Sequence, residues 1–590
     1  MDFESHYRQR ADQFRLEVSA CDRSIRTLAW IRVAVALIII GAGYLGFKDP
    51  LYFAALPILI IAFFYLVQVQ WKKENQRKIL LSMVTLNHNE AEAIHNRFSN
   101  FSNGIRFTDP THPYSHDLDL FGNGSLFQYL NRCASPLGES KLATDLKHLH
   151  YDAVTIQSRQ EAIRELATKL ELRQQCWATG QQIDSGIADL NSLYDWLKEK
   201  NLFLEYRLIE IIKWVLPTVT CLSLGMAFIN PSYQSVFLAL FIFQLGLAAR
   251  YSKPISLLQG KLAGYKTILE NYAQLFELVK KESFISERMK LHHHMAQEAA
   301  TQVDAFSKKV NSLESRMNLI ARIFGNGLFL LDFHNVIQLE RWRTQYAVQL
   351  PQWMDSLAEW DSLLAFATLH NNHPHYAFAE TSESLSILGE EIAHPLLPAA
   401  VRVANTFDLG TPASVMLITG ANMAGKSTFL RAVGVNYVLG LNGSPVCARK
   451  WRSPLAALRT GMRTSDSLQE NQSYFYAELY RLQSIITELR KGNRMLILLD
   501  EILKGTNSTD KQTGSRELIK QLIQQPALVM IATHDIALGD MEQQYPNQIA
   551  NACFEGKIEN DQLTFDYTLH KGVAQKANAT FLMRKMGIIP

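Results

Sequence analysis

The chain has 590 residues, enough for several domains, and its 47% hydrophobic content can supply substantial cores. Lys and Arg number 59 against 56 Asp and Glu, a balance that excludes wholesale coating by nucleic acid but leaves room for a local basic patch. Six scattered cysteines, none in a C-x-x-C, speak against a disulfide framework or a zinc site and fit reduced thiols in a cytosolic compartment.

Residues 1–27 are polar, with charges of both signs and no short apolar core before a small-residue cleavage site, so they do not read as a secretory signal. Two apolar runs follow, 28–47 and 51–71, joined by Lys48-Asp49-Pro50. Each is about 20 residues, enough as helix to cross a ~30 Å hydrocarbon core, and the short link predicts a tight transmembrane hairpin. The competing reading is a pair of buried core helices. Arg23, Arg26 and Arg32 on one flank, with Lys72, Lys73, Arg77 and Lys78 on the other, place both ends in the cytoplasm by the positive-inside rule.

Residues 72–213 read as the first part of a helical core, with an amphipathic helix over 80–101 and a turn-rich stretch over 103–117. A second apolar pair, 214–229 and 235–249, is shorter, and spanning requires Lys213, Trp214 and Arg250 to snorkel or the bilayer to thin. Residues 250–384 are strongly helical and read as a second core or lever segment. His292-His293-His294 invites a metal reading, but consecutive helical residues point to different faces and do not converge on one ion. His370 to Tyr376 reads as a loop, and from 385 to 590 short apolar strands alternate with helices.

The stretch with the most chemistry is Gly420-Ala421-Asn422-Met423-Ala424-Gly425-Lys426-Ser427-Thr428, which fits G-x-x-x-x-G-K-[ST] between an apolar run, Val415 to Ile418, and a helical pattern. In that context the loop N–H groups and the helix N-terminus cradle phosphates, Lys426 reaches the β- and γ-phosphates, and Ser427 ligates Mg²⁺. The apolar run 495–499 ends in Asp500-Glu501, where Asp500 would hold Mg²⁺ and Glu501 would polarise an attacking water. A third run, 527–532, ends in Thr533-His534, which puts His534 in reach of transferring charge. Singly these are common words, and their order behind one phosphate loop is what carries the reading.

These words also carry a family resemblance. Thr419 to Thr428 is similar to the T-G-P-N-M-x-G-K-S-T loop of the MutS family of DNA mismatch-repair ATPases. Asp500-Glu501 with 505–510, Ser473-Tyr474-Phe475 with Glu478, Ala532-Thr533-His534 and His394-Pro395-Leu396 resemble further motifs of that family. The resemblance covers 385–590 in its specific motifs and extends to 117–205.

It implies an ATP- and Mg²⁺-dependent ATPase of the ABC type that works as a homodimer. In that dimer Ser473 would contact the γ-phosphate held by the partner, and Asp510 would lie at the dimer seam. The family's adenine-stacking aromatic position is held here by Arg402, ahead of Val403-Ala404-Asn405, and Tyr567 falls where a second stacking ring belongs. A helix over 577–586 resembles the family's dimer-supporting tail. The sequence departs from the family in having no F-x-E reader before the first apolar hairpin and no β-rich clamp insertion in the core helices.

The expected fold is therefore multidomain: an N-terminal transmembrane hairpin, an all-α MutS-like core with a second membrane hairpin, and a C-terminal α/β P-loop ATPase. The expected protein is a multi-pass inner-membrane ATPase with its ATPase domain and both termini cytoplasmic, lipid around its hairpins and DNA as a partner implied by the resemblance. The alternatives are a nucleotide-gated membrane scaffold without DNA and a transporter-type ABC protein, the latter disfavoured by the missing L-S-G-G-Q signature.

Overall fold

The computed structural model describes residues 3–183, 190–314, 316, 318–463, 474–503, 507–559 and 562–575. The change from polar to apolar sequence at residue 28 is not a boundary between elements. The first helix, α1 (Phe3–Gly46), runs unbroken from its polar start through the apolar run. A polar half-helix followed by an apolar one has no breaker between them, so backbone hydrogen bonding continues although the solvent-facing chemistry changes. After a turn and a 3-10 segment (Pro50–Ala55), α2 (Leu56–Ile94) returns alongside α1, so the helix starts five residues later than the apolar run. The polar halves dock on the core: Tyr7 Oη donates to Asn372 Oδ1 at 2.7 Å, and Arg10 pairs with Glu171 at 2.6 Å.

The core is built from short helices α3 (Leu126–Leu130), α4 (Pro136–Lys147), α5 (Ala153–Ala167), α6 (Leu170–Gly180) and α7 (Asn191–Leu197). A second pair follows, α8 (Arg207–Ile229) and α9 (Tyr233–Arg250). Here too the helix exceeds the apolar run: α8 begins at Arg207, and its 23 residues reach about 34 Å at ~1.5 Å each. Pro217 lies inside α8 and has no N–H for the carbonyl of Lys213. That carbonyl accepts instead from His334 Nε2 at 2.9 Å, which ties the pair to the long core helices. Those are α10 (Ser252–Leu262), α11 (Tyr265–Lys281), α12 (Glu287–Glu314), α13 (Leu319–Phe329), α14 (Leu331–Tyr346) and α15 (Gln349–Asn372). The most apolar stretches of α1 and α2 have none of their residues buried, and four helical segments (3–46, 50–94, 207–229 and 233–250) are long and apolar enough to cross a membrane.

The C-terminal α/β domain starts earlier than residue 385. β1 (Ala377–Phe378) and β2 (Glu380–Ser382) precede β3 (Ile387–Ile392), β4 (Asn405–Leu409) and β5 (Val415–Gly420). Strands of two or three residues are too short for a periodic signal, and helix α15 continues to Asn372 where a loop was expected. The helix α16 (Lys426–Leu441) is followed by β6 (Pro445–Val446), β7 (Lys450–Pro454), β8 (Ala457–Gly461), α17 (Tyr474–Arg490) and β9 (Met495–Asp500). Next come α18 (Ser508–Leu522), β10 (Ala527–Thr533), α19 (Met541–Gln544), β11 (Ile549–Glu559) and β12 (Gln562–Lys571). The main sheet has the order β12-β11-β5-β10-β9-β8, with β12 antiparallel and the rest parallel. β5, β9 and β10 are almost wholly buried, as their unbroken apolar sequences require in a sheet covered on both faces. The register sets Ile418 beside Ala532 and Ala532 beside Asp500, so the residues that follow all three strands emerge at one edge.

Candidate functional site

At that edge β5 ends in Gly420 with φ +149, where a Cβ would lie 2.5 Å from the Phe554 carbonyl oxygen. The loop Ala421, Asn422, Met423, Ala424 turns through Met423 (φ +67) to Gly425 (φ +107), which caps α16. Both glycines occupy backbone conformations that a side chain would strain. The loop leaves Asn422 and Met423 exposed and leads directly into the N-terminus of α16, whose first N–H groups lack partners within the helix, an arrangement that favours an anion.

Lys426 begins α16 and is buried. Its ammonium donates to the Gly420 and Ala421 carbonyls at 2.7 and 2.8 Å, under the loop. Burial lowers its pKa, while Asp500 and Glu501 act to raise it. Ser427 Oγ donates to Asp500 Oδ2 at 2.5 Å, and the other oxygen, Asp500 Oδ1, is buried without a hydrogen-bond partner among the described residues. A hydroxyl next to an orphaned carboxylate oxygen is a hard oxygen donor set and fits Mg²⁺. Thr428, next in the helix, lines a cavity beside the loop.

Glu501 follows β9 with φ +53, and its N–H is held by the Ala532 carbonyl at 2.9 Å. Its Oε1 lies 2.5 Å from His534 Nε2. On the other side of the ring, His534 Nδ1 is 3.0 Å from the Gly420 carbonyl, which can only accept. Nδ1 also lies 3.4 Å from the Lys426 ammonium, so the ring sits between the loop and Glu501. The strand ends thus bring Lys426, Ser427, Asp500, Glu501 and His534 together.

The cavity beside the loop has a volume of about 290 Å³ and is lined by His394, Leu397, Val403, Thr428, Phe554 and Tyr567, among others. It is mostly apolar and of a size to take a flat base. Tyr567 (φ +54) is placed against Gly425, where a Cβ would come within 3.2 Å of its ring. Asn405 fixes it by donating to the Tyr567 carbonyl at 3.1 Å and accepting from Leu569 N–H at 2.6 Å. His394 is kept neutral by burial, its pKa pushed down to about 4.

Arg402 is the correction here. Its guanidinium is spent on the Leu397 and Pro395 carbonyls, Tyr376 Oη at 2.8 Å and Cys447 Sγ at 3.2 Å. It does not line the cavity and does not stack there. Successive residues of an extended stretch face opposite sides, so Val401 and Val403 face the cavity and Arg402 faces away.

Glu478 is only one letter of a motif in the sequence, and the structure shows what it holds. From α17 its Oε1 accepts Leu503 N–H at 2.5 Å, which fixes the turn that carries Glu501. Asp510 lies exposed in the first turn of α18, its carboxylate accepting from Asn507 Nδ2 at 2.8 Å. Ser473 and the 577–586 helix lie outside the described residues. The three histidines diverge as their spacing predicts: buried His292 meets Ser356 Oγ at 2.7 Å, and His293 faces the Val279 carbonyl.

Residues 416–588 match the family model for MutS domain V. The chain is also 27% identical over 331 residues to the DNA mismatch repair protein MutS of Thermotoga maritima, covering 55% of this chain and 38% of that protein. It is 28% identical over 259 residues to the MutS of Bacillus subtilis, covering 43% and 30%. The C-terminal domain is thus similar to MutS domain V, and about half of the chain to MutS proteins. A third relative, the MutS of a Synechococcus, is 29% identical over 265 residues, 44% of this chain and 30% of that protein. The chain thus matches well under half the length of each of these relatives.

Proposed function

We propose that this chain is a membrane-anchored MutS-family ATPase whose nucleotide-driven dimerisation moves the helices of its core. The observation that carries the proposal is the convergence of Lys426, the Ser427–Asp500 pair and the Glu501–His534 pair at one sheet edge, beside a base-sized cavity. Lys426 and the α16 N-terminus would hold the phosphates, Ser427 and Asp500 the Mg²⁺, and Tyr567 with Val403 the base. Bound Mg²⁺ would supply charge neutralisation on the phosphate oxygens. Glu501 orients the attacking water and takes its proton, and His534, hydrogen-bonded to Gly420, positions that carboxylate. Ser473 would act across the dimer and Asp510 at its seam.

The movement has a path to the first hairpin. Asn96, two residues beyond α2, donates to the Leu396 carbonyl at 3.0 Å, and the neighbouring Leu397 lines the cavity. The four apolar segments are proposed to lie in the inner membrane, and the flanking Arg and Lys support a cytoplasmic position for the ATPase domain and both termini. The relatives are DNA mismatch repair proteins, which supports DNA as a partner. The exposed apolar helices favour a second reading, a nucleotide-gated membrane scaffold without DNA.

The proposal is tested by ATP binding and hydrolysis with the full-length protein in detergent, followed by duplex DNA binding across a salt series with and without ATP. Hydrolysis abolished by Lys426→Ala supports the ATPase, and folded protein that neither binds nor hydrolyses ATP refutes it. Nucleotide-dependent DNA affinity that falls log-linearly with salt selects the DNA reading, and its absence selects the scaffold.

A further inference from the structure

The helix α13 (Leu319–Phe329) has an unusual surface for a segment between two core helices. Leu319, Ile320 and Phe324 are 60%, 69% and 58% exposed, and Ile323 and Phe329 are also open to solvent. At 100° per residue, Leu319, Ile320, Ile323, Phe324 and Leu328 share one half of the helix, while Arg322, Gly325 and Asn326 lie on the other. The helix packs on α9, α8 and the start of α14, and Gly327, on that same half, is its point of approach to α9. Its ends are firmly built. Asn318 Oδ1 caps the N-terminus by accepting from Ile320 and Ala321 N–H, and Asn326 Oδ1 accepts from Asp332 N–H at 3.0 Å. The base of the helix is anchored by the buried Arg316–Asp332 pair at 2.8 Å.

The main contact of α13 is with the second apolar pair. Gly327 lies so close to α9 that a Cβ would fall 2.2 Å from the Phe241 ring, and Phe324 sits 6.3 Å from that ring. The exposed face of α13 therefore continues the exposed apolar surface of α8 and α9, where Val219, Leu222, Ile242 and Phe243 are also open. A contiguous patch of that extent is rare on a soluble surface. With 11 residues, α13 is about 16 Å long, roughly half of a ~30 Å hydrocarbon core. It is too short to span and long enough to enter one leaflet.

We infer that α13 is a further membrane-contacting element, a short amphipathic helix that seats Leu319, Ile320, Ile323 and Phe324 in the lipid of one leaflet beside α9. The occupant is bilayer lipid, because the face is continuous with the proposed membrane surface of α8 and α9. Arg322, exposed on the opposite side, suits the headgroup level. This inference rests on the membrane reading of α8 and α9. Its consequence is that the segment between the levers α12 and α14 is itself held at the bilayer, so lever movement is felt there as well as in the spanning helices.

The experiment uses full-length protein in phospholipid nanodiscs on a Cys221→Ser background, since the other cysteines are buried. An environment-sensitive fluorophore is placed in turn at Ile320→Cys, Phe324→Cys, Ile242→Cys in α9 and Lys491→Cys on the α/β domain. Nitroxide lipids carry the spin label either near the headgroup or near the chain end. The expected result is blue-shifted emission at 320 and 324, quenched more by the shallow label than by the deep one. Position 242 should also be quenched, and 491 by neither. Quenching at 242 with 320 and 324 behaving like 491 overturns this inference and leaves the α8–α9 reading standing. Quenching at none of the three overturns both. A blue shift at 320 and 324 without lipid quenching means protein covers the face and also overturns it.

Discussion

Asp117 joins the helical core to the α/β domain, and removing its carboxylate should loosen that joint. Its side chain is fully buried and accepts from Thr460 Oγ1 at 2.6 Å, Met462 N–H at 3.1 Å and Arg463 N–H at 3.0 Å, with Arg481 2.8 Å away. Asp117→Ala leaves three donors and part of a guanidinium facing a low-dielectric pocket. Removing one partner of a buried ion pair costs about 3–5 kcal/mol. In a chain of several domains one global unfolding energy is not defined, so the readout is local. The amides of Met462 and Arg463, followed by hydrogen exchange, should exchange roughly a hundredfold faster or more, at ~1.4 kcal/mol per factor of ten. Adding Arg481→Met should recover part of the loss, because the stranded cation goes with it. Because β8 leads from this contact toward the segment before α17, ATP turnover should fall together with protection. Unchanged exchange at 462 and 463 in Asp117→Ala would refute the argument that this carboxylate joins the two parts.

Glu501→Gln should keep ATP binding, lose hydrolysis and accumulate a nucleotide-bound dimer in gel filtration; a variant that turns over normally removes Glu501 from its role. Glu478→Ala should lower turnover by roughly tenfold or more while ATP affinity changes little, since it frees Leu503 N–H and loosens the turn carrying Glu501 without touching the phosphate loop. Equal losses in affinity and turnover would mean the whole domain is disturbed. The chain should also be acid-labile. His112, His150, His292, His373 and His394 are each pushed by burial from the ordinary 6.5 down to about 4. Their stabilisation is present above pH 6.5 and lost as pH falls toward 4. Asp361, raised by burial to about 7, works the other way, losing stability as pH rises from 3.8 toward 7. Five groups outweigh one, so thermal unfolding should begin at a lower temperature at pH 5 than at pH 7.5, and the reverse order would contradict the assignment.

The strand–loop–helix at 415–441 and the acidic end of β9 could be read from the sequence because their signals are local. A buried parallel strand must be apolar throughout, and the loop needs glycine where φ is +149 and +107. Lys426, Ser427, Asp500, Glu501 and His534 follow directly from where those strands end. The membrane-length apolar runs were equally plain, though not their helix limits, because helix continues through polar sequence wherever no breaker stops it.

Only tertiary structure decided which neighbour of a motif faces the cavity. Arg402 turned away because four acceptors from 376, 395, 397 and 447 surround it, and Val403 took its place. Asn405 reaches Tyr567 across 162 residues, and Asp117 reaches Met462 across 345. The exposed face of α13 belongs with these, since its meaning comes from lying beside α9. Short-range periodicity and steric rules fix what a segment is, whereas the partners of a polar or apolar side chain are chosen by the packing of segments distant in the chain.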